Sequence, residues 1–180
     1  MVPHLFWITS RAAGSAALVL SSVGVSLGLL MGGKLVRGRG LELRGAHETI
    51  AIATLVAIAV HAVTLLGDSF MHPSVADVAV PFVSGYKTAW TTIGILAGWS
   101  TLLLGLSFYA RKRIGQRRWR AVHRFTVLAW WLGVIHSLGE GTDSGQAWFL
   151  VMTAIVVVPA IALFLARMSG FKRPAAKPAA

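Results

Sequence analysis

Four stretches of this chain carry no charged residue: Ala12 to Gly33, Thr49 to Gly67, Thr88 to Ala110 and Ser144 to Ala166. Each is close to the ~20 apolar residues that carry an α-helix across ~30 Å of hydrocarbon. Inside lipid only a helix satisfies its own backbone polar groups segment by segment, so these runs predict transmembrane helices. A fifth, shorter run lies between Arg124 and Glu140. Extended back to about Trp119, with Arg120 and Arg124 snorkelling toward the headgroups, it makes a further span. The expected architecture is an all-α integral membrane bundle of about five helices over 12–33, 46–67, 88–110, 119–139 and 144–166. Residues 1–167 form the membrane domain. The basic, proline-rich residues 168–180 are expected to be a disordered cytoplasmic tail. Met1 to Ser10 lacks the basic segment and cleavage site of a signal peptide, so the first helix is expected to be retained.

Composition agrees: 56% of the 180 residues are hydrophobic and only 13% are charged, with a mean hydropathy of +0.70. Lys and Arg number 17 against 6 Asp and Glu, a formal net charge of +11. In a soluble domain that excess points to nucleic acid. Here the cations sit between apolar runs, so they report topology and nucleic acid is not an expected partner. Lys34, Arg37, Arg39 and Arg44 follow the first run, and Arg111 to Arg120 carry six more after the third. Both loops are expected on the cytoplasmic side, which gives an N-out, C-in, multi-pass protein of the cell membrane. The absence of cysteine excludes disulfides, thiolate zinc sites, iron–sulfur clusters and thiolate-bound haem.

Gly24, Gly28 and Gly32 recur every four residues on the first run, and Gly94 with Gly98 does so on the third. Such stripes let helices approach closely, here expected within the chain rather than between copies. Segment 69–86 contains His72-Pro73 and Pro81, which argues against one continuous helix and for a partly structured cap on the outer face.

Six histidines occur, and four fall on two runs: His47 and His61 on the second, His123 and His136 on the fourth. Ionisable groups at membrane depth are expensive and usually functional. Both helices are expected to run from the cytoplasmic side outward, which places His47 with His123 at the inner end and His61 with His136 at the outer end. Fourteen residues separate the first pair by about 21 Å and thirteen separate the second by about 19.5 Å, so the levels match. Neutral imidazoles on facing helices suit a haem iron ligated from both sides, one haem per level. Fourteen residues return to within about 40° of the same helix face, whereas thirteen leave about 140°. The fourth helix therefore needs a distortion, expected at Gly133 or Ser137. Zinc would need tetrahedral ligands at one level and a di-iron site several core glutamates, and the sequence provides neither.

The pattern His47-x13-His61 with His123-x12-His136 resembles the ferric reductase-like transmembrane domain, shared by ferric reductases, NADPH oxidases and bacterial methionine sulfoxide reductase haem subunits. The resemblance runs from about Thr9 to Arg167. It takes in Ser10-Arg11, Val80-Pro81-Phe82, Trp119-Arg120-Ala121-Val122-His123 and Gly141-Thr142-Asp143. It implies two b-type haems, an inner one on His47 and His123 and an outer one on His61 and His136, with electrons passing from the cytoplasmic to the outer face. Many members carry a flavin and nicotinamide domain. This sequence has no Gly-rich phosphate loop for either cofactor, so the expected donor is a separate reductase or quinol and the extracytoplasmic acceptor stays open. The chain is then expected to be an oxidoreductase electron-transfer subunit, incomplete as an enzyme alone.

Arg44, Arg120 and Arg124 lie at the inner level, where a guanidinium would pair with haem propionates or simply mark topology. Trp130 and Trp131 fall between the histidine levels, as aromatic packing or along an electron path. His72, Asp68, Asp77 and Asp143 are expected outside, as solvated loop polarity or as contacts to a cationic acceptor. Two rival functions use the same histidines: a transporter or structural membrane protein, with a proton path or helix contacts, and a haem-based sensor or anchor without transmembrane electron flow.

Overall fold

The computed structural model describes residues 3–32 and 40–169, and among them there is helix and no strand. The helices are α1 (Pro3–Gly32), α2 (Gly40–Leu65), α3 (Val75–Ala79), α4 (Thr88–Ile114), α5 (Gln116–His123), α6 (Thr126–Glu140) and α7 (Ala147–Met168). Four of them, α1, α2, α4 and α7, are long and apolar enough to cross a membrane. The basic loop residues Lys34, Arg37 and Arg39 and the expected tail from Gly170 onward lie outside the described residues.

The long helices overrun their charge-free runs. α1 begins at Pro3, where a missing N–H and fixed φ are tolerated. Arg11 therefore lies inside α1. Its Nε donates to Asp143 Oδ2 at 2.9 Å, a second nitrogen pairs with Oδ1, and the guanidinium stacks 4.1 Å over the Trp7 ring. A charge paired in this way does not end a helix. α4 likewise continues through Arg111, whose guanidinium lies 3.7 Å over the Phe108 ring. It stops at Gly115, where φ is +89°, a value that favours glycine.

The expected fourth span, 119–139, is two helices. α5 ends at His123 and α6 starts at Thr126. The junction is tightened by i→i−3 bonds from Phe125 N to Val122 O at 3.0 Å and from Val127 N to Arg124 O at 3.3 Å. The distortion thus sits at Arg124-Phe125, not at Gly133 or Ser137, both of which are inside regular α6. With 15 residues, α6 alone is shorter than the ~20 of a complete crossing.

α1 is central. It packs along α2, α7 and α6, while α4 packs along α6. Leu18, Trp130, Val134, Phe149, Val157 and Ala160 form the core where α1, α6 and α7 meet. There Trp130 Nε1 donates to the fully buried Ser22 Oγ at 2.9 Å. α2 meets α4 only sparsely and α6 still less, so α2 with His47 and His61 does not pack along α6 with His136. Around the outside, Val63, Leu103 and Ile155 are each about two-thirds exposed, an apolar surface suited to lipid.

The glycine stripes serve contacts within the chain. Gly24 faces Ile50, Gly28 faces His47, Gly94 faces His136 and Gly98 faces Ile58, while Gly32 lies under the Arg167 guanidinium. Beyond α2, segment 69–86 holds only α3, closed by a reciprocal cap between Ser74 and Asp77 that holds the Asp77 carboxyl below its ordinary range. Two bonds tie this segment to α4: Phe82 N donates to Thr92 Oγ1 and Trp99 Nε1 to Ala79 O, both at 2.9 Å. Three non-glycine residues in or beside it have positive φ, His72, Phe82 and Lys87.

A Cβ added at Gly139 would lie 2.2 Å from Trp90 Cε3, whereas one at Gly133 meets nothing within 4 Å. Gly139→Ala is expected to force α4 from α6 and destabilise the detergent-solubilised protein by about 1–3 kcal/mol. Gly133→Ala is expected to be neutral or stabilising, since alanine is the better helix former by about 1 kcal/mol. Thermal unfolding followed by circular dichroism checks the ranking.

Candidate functional site

His47 and His61 on α2 face His123 at the end of α5 and His136 on α6, so the four histidines form two facing pairs. His47 and His123 have ring centroids 6.4 Å apart with planes at 85°, and His61 and His136 have centroids 6.4 Å apart with planes at 69°. One regular helix would leave His123 and His136 on different faces. The tightened turn after His123 ends α5 before α6 begins, so the two need not keep one helical register.

Three of the four rings are fixed at Nδ1 by a backbone carbonyl of a neighbouring helix. His47 Nδ1 lies 3.0 Å from Gly24 O and His61 Nδ1 2.8 Å from Ser10 O, both on α1, and His136 Nδ1 lies 3.0 Å from Trp90 O on α4. A carbonyl only accepts, so each Nδ1 carries the proton and donates, which leaves Nε2 with a free lone pair. The Ser10 hydroxyl adds to this at His61, donating to the His61 carbonyl at 3.1 Å with Nδ1 3.0 Å away. The fourth ring is held differently. His123 Nδ1 is buried and makes no hydrogen bond of ordinary geometry, though the Leu104 backbone on α4 interacts with it, and the ring stacks on Trp119 at 4.9 Å and 26°.

Glycines make room for the rings. A Cβ on Gly94 would lie 2.4 Å from His136 Nδ1, one on Gly14 3.1 Å from His61 Nδ1 and one on Gly28 3.4 Å from His47 Cε1. Ser10, Gly14, Trp90 and the stacking of Trp119 are not evident from the histidine pattern. A signal does exist: Ser10 and Gly24 are fourteen residues apart, as are Gly14 and Gly28, the same interval as His47 and His61.

A cavity of about 1270 Å³ opens beside the His61–His136 pair, lined by His61, His136, Ser10, Leu55, Ala129 and Trp130 among others, and continues to Asp68 and His72 beyond the end of α2. Trp130 lines it and is otherwise part of the core with its neighbour Trp131. Arg44, Arg120 and Arg124 are all exposed and lie close in sequence to His47 or His123. Arg120 Nε donates to Gln116 O at 3.3 Å, within its own helix. On the outer side the polar residues are dispersed, with Asp143 on Arg11, Asp77 on Ser74 and His72 exposed. Among the described residues, no group of three or more His, Asp or Glu is placed to hold a metal ion.

No family model matches the chain, and neither the curated proteins nor the solved structures include a match.

The tautomers are directly measurable. In the purified chain without added ligand, nitrogen-15 shifts are expected to report Nδ1–H imidazoles for His47, His61 and His136. Gly94→Ala is expected to remove that signature from His136 alone.

Proposed function

We propose that the chain is a multi-pass membrane electron-transfer subunit in which each histidine pair ligates one b-type haem, as the resemblance to ferric reductase-like domains implies. The observation that carries this reading is the 6.4 Å ring spacing, found at both levels. With about 2 Å from metal to imidazole nitrogen and about 1.1 Å from nitrogen to ring centre, two imidazoles sharing one metal would have centres at most about 6.2 Å apart.

The residues fit the group in other respects. Protonation of Nδ1 by a carbonyl partner is the usual way an imidazole is oriented with Nε2 toward a metal. Two imidazoles per level would suffice to hold the iron of a haem. The sparse contact between α2 and α6 leaves space for a flat group, and the cavity beside His61 and His136 is walled mainly by apolar side chains. Haem would supply one-electron redox chemistry in a low-dielectric setting.

The chain's own residues set position and separation. Along α2, His47 and His61 are about 21 Å apart, so the two levels lie near opposite edges of a ~30 Å core. In this reading α5 and α6 together make the fifth crossing. The clustering of Arg44, Arg120, Arg124 and neighbouring arginines at one end supports a cytoplasmic position for that face, hence N-out and C-in in the cell membrane. The same three arginines are placed to pair with propionates of the inner group. A separate reductase or quinol would supply electrons, and an extracytoplasmic acceptor would take them.

The purified chain is expected to hold two haems with low-spin b-type bands in a dithionite-reduced minus oxidised spectrum. His61→Ala and His136→Ala should each leave about half the haem, and His47→Ala and His123→Ala should each remove the other half. His72→Ala should change neither. A chain that stays free of haem after expression with ample haem overturns the proposal and leaves the histidines as a proton path or as contacts between helices.

A further inference from the structure

Three of the imidazoles share one local plan. The carbonyls that take their Nδ1 protons belong to Ser10, Gly24 and Trp90. Four residues further along each helix stands a glycine, Gly14, Gly28 and Gly94, lying against the same ring. In an α-helix the carbonyl of residue i already accepts the N–H of residue i+4. Its second lone pair is the one the imidazole takes, and a glycine at i+4 lets the ring come that close.

The fourth ring meets the Leu104 backbone on α4, where neither condition holds. The residue four further along is Phe108. The second lone pair of the Leu104 carbonyl goes to the Ser107 hydroxyl, which donates to it at 2.6 Å. His123 Nδ1 is thus left buried without a hydrogen bond of ordinary geometry. Ser107 has a second contact, since its Oγ accepts from Trp119 Nε1 at 3.2 Å. Phe108 packs edge-on against the same indole with centroids 5.9 Å apart, and the Arg111 guanidinium covers the Phe108 ring at 3.7 Å. Trp119 and His123 are about one turn apart on α5, and their rings stack at 4.9 Å and 26°. The residues that deny His123 a carbonyl are therefore those that brace the indole it rests on.

We propose that Trp119 is the positioning residue of His123, fixing by its stacked face the ring plane that a carbonyl fixes at the other three histidines. Stacking sets a plane without choosing which nitrogen carries the proton. The His123 tautomer is therefore open, whereas the other three are held as Nδ1–H. Across the 6.4 Å spacing His47 is held by Gly24 and His123 by the indole, so the pair is positioned by two different means. The bearing on haem rests on the proposed function; the placement of the ring does not.

The test compares Trp119→Leu, Trp119→Phe and Ser107→Ala in the full-length, detergent-purified chain, each without added ligand and again after expression with ample haem. In the ligand-free unaltered chain, the indole ring current is expected to move the His123 ring protons upfield of those of the other three histidines. Its nitrogen-15 shifts are expected to lack the Nδ1–H signature. Trp119→Leu should abolish the upfield displacement and lower haem to about half, while Trp119→Phe, which keeps a face to stack on, restores both. Ser107→Ala frees the Leu104 lone pair and should bring His123 to the Nδ1–H signature. An upfield displacement that survives Trp119→Leu overturns the proposal, as does a His123 tautomer indifferent to Ser107→Ala. If Trp119→Leu does not fold, the shifts of the unaltered chain and of Ser107→Ala decide. A chain that never takes up haem removes the electron-transfer reading and leaves the shifts to judge this inference; two haems kept in Trp119→Leu, with the His123 signals unmoved, does the reverse.

Discussion

The structure depends on hydrogen bonds from imidazole Nδ1 to backbone carbonyls on neighbouring helices. A membrane interior offers a histidine no water, so each ring must find its acceptor in the protein. Gly24 and Ser10 on α1 and Trp90 on α4 supply them. These bonds pull α2 onto α1 and α6 onto α4, the two most extensive pairings in the bundle. The requirement for close approach explains why Gly14, Gly28 and Gly94 lie against the rings. It also explains why α2 and α6, whose rings point toward each other, remain apart. Each histidine helix is held from behind.

Much of this was legible from the residues. Charge-free runs locate the four long helices because lipid tolerates few unpaired charges, and the intervals between histidines give the two levels because helical rise is constant. The ends were not legible, since Arg11 and Arg111 are accommodated by Asp143, Trp7 and Phe108, partners distant in sequence or hidden by orientation. The need for a distortion in the fourth span followed from the thirteen-residue interval, but its place did not. Gly133 and Ser137 look like weak points, yet both lie inside α6, where a single glycine costs only about 1 kcal/mol. The turn falls at Arg124-Phe125, where two bulky residues give no local signal and the facing of the rings decides. The holders of the rings were hidden because a carbonyl acceptor has no residue type.

The two levels are built unequally. The outer rings are both anchored, and they adjoin the large cavity. The other pair has one ring with a well-formed carbonyl bond and one, His123, that ends a short helix, leans on Trp119 and meets the Leu104 backbone only loosely. The outer level is thus the more preorganised of the two, and the inner one the more dependent on how α5 is seated against α4.

α1 acts as a ruler. It touches the outer ring through Ser10 and Gly14 and the inner ring through Gly24 and Gly28, so the distance between the levels is written twice, once in α1 and once in α2 running the other way. A single inserted residue in either helix would swing one contact by about 100° around the axis and leave the other untouched. Only additions of about seven residues, two full turns, made to both helices together would keep the register. The spacing between the levels is therefore a stepped quantity, and a protein of this plan adapts to a thicker or thinner bilayer in whole strides or by tilting.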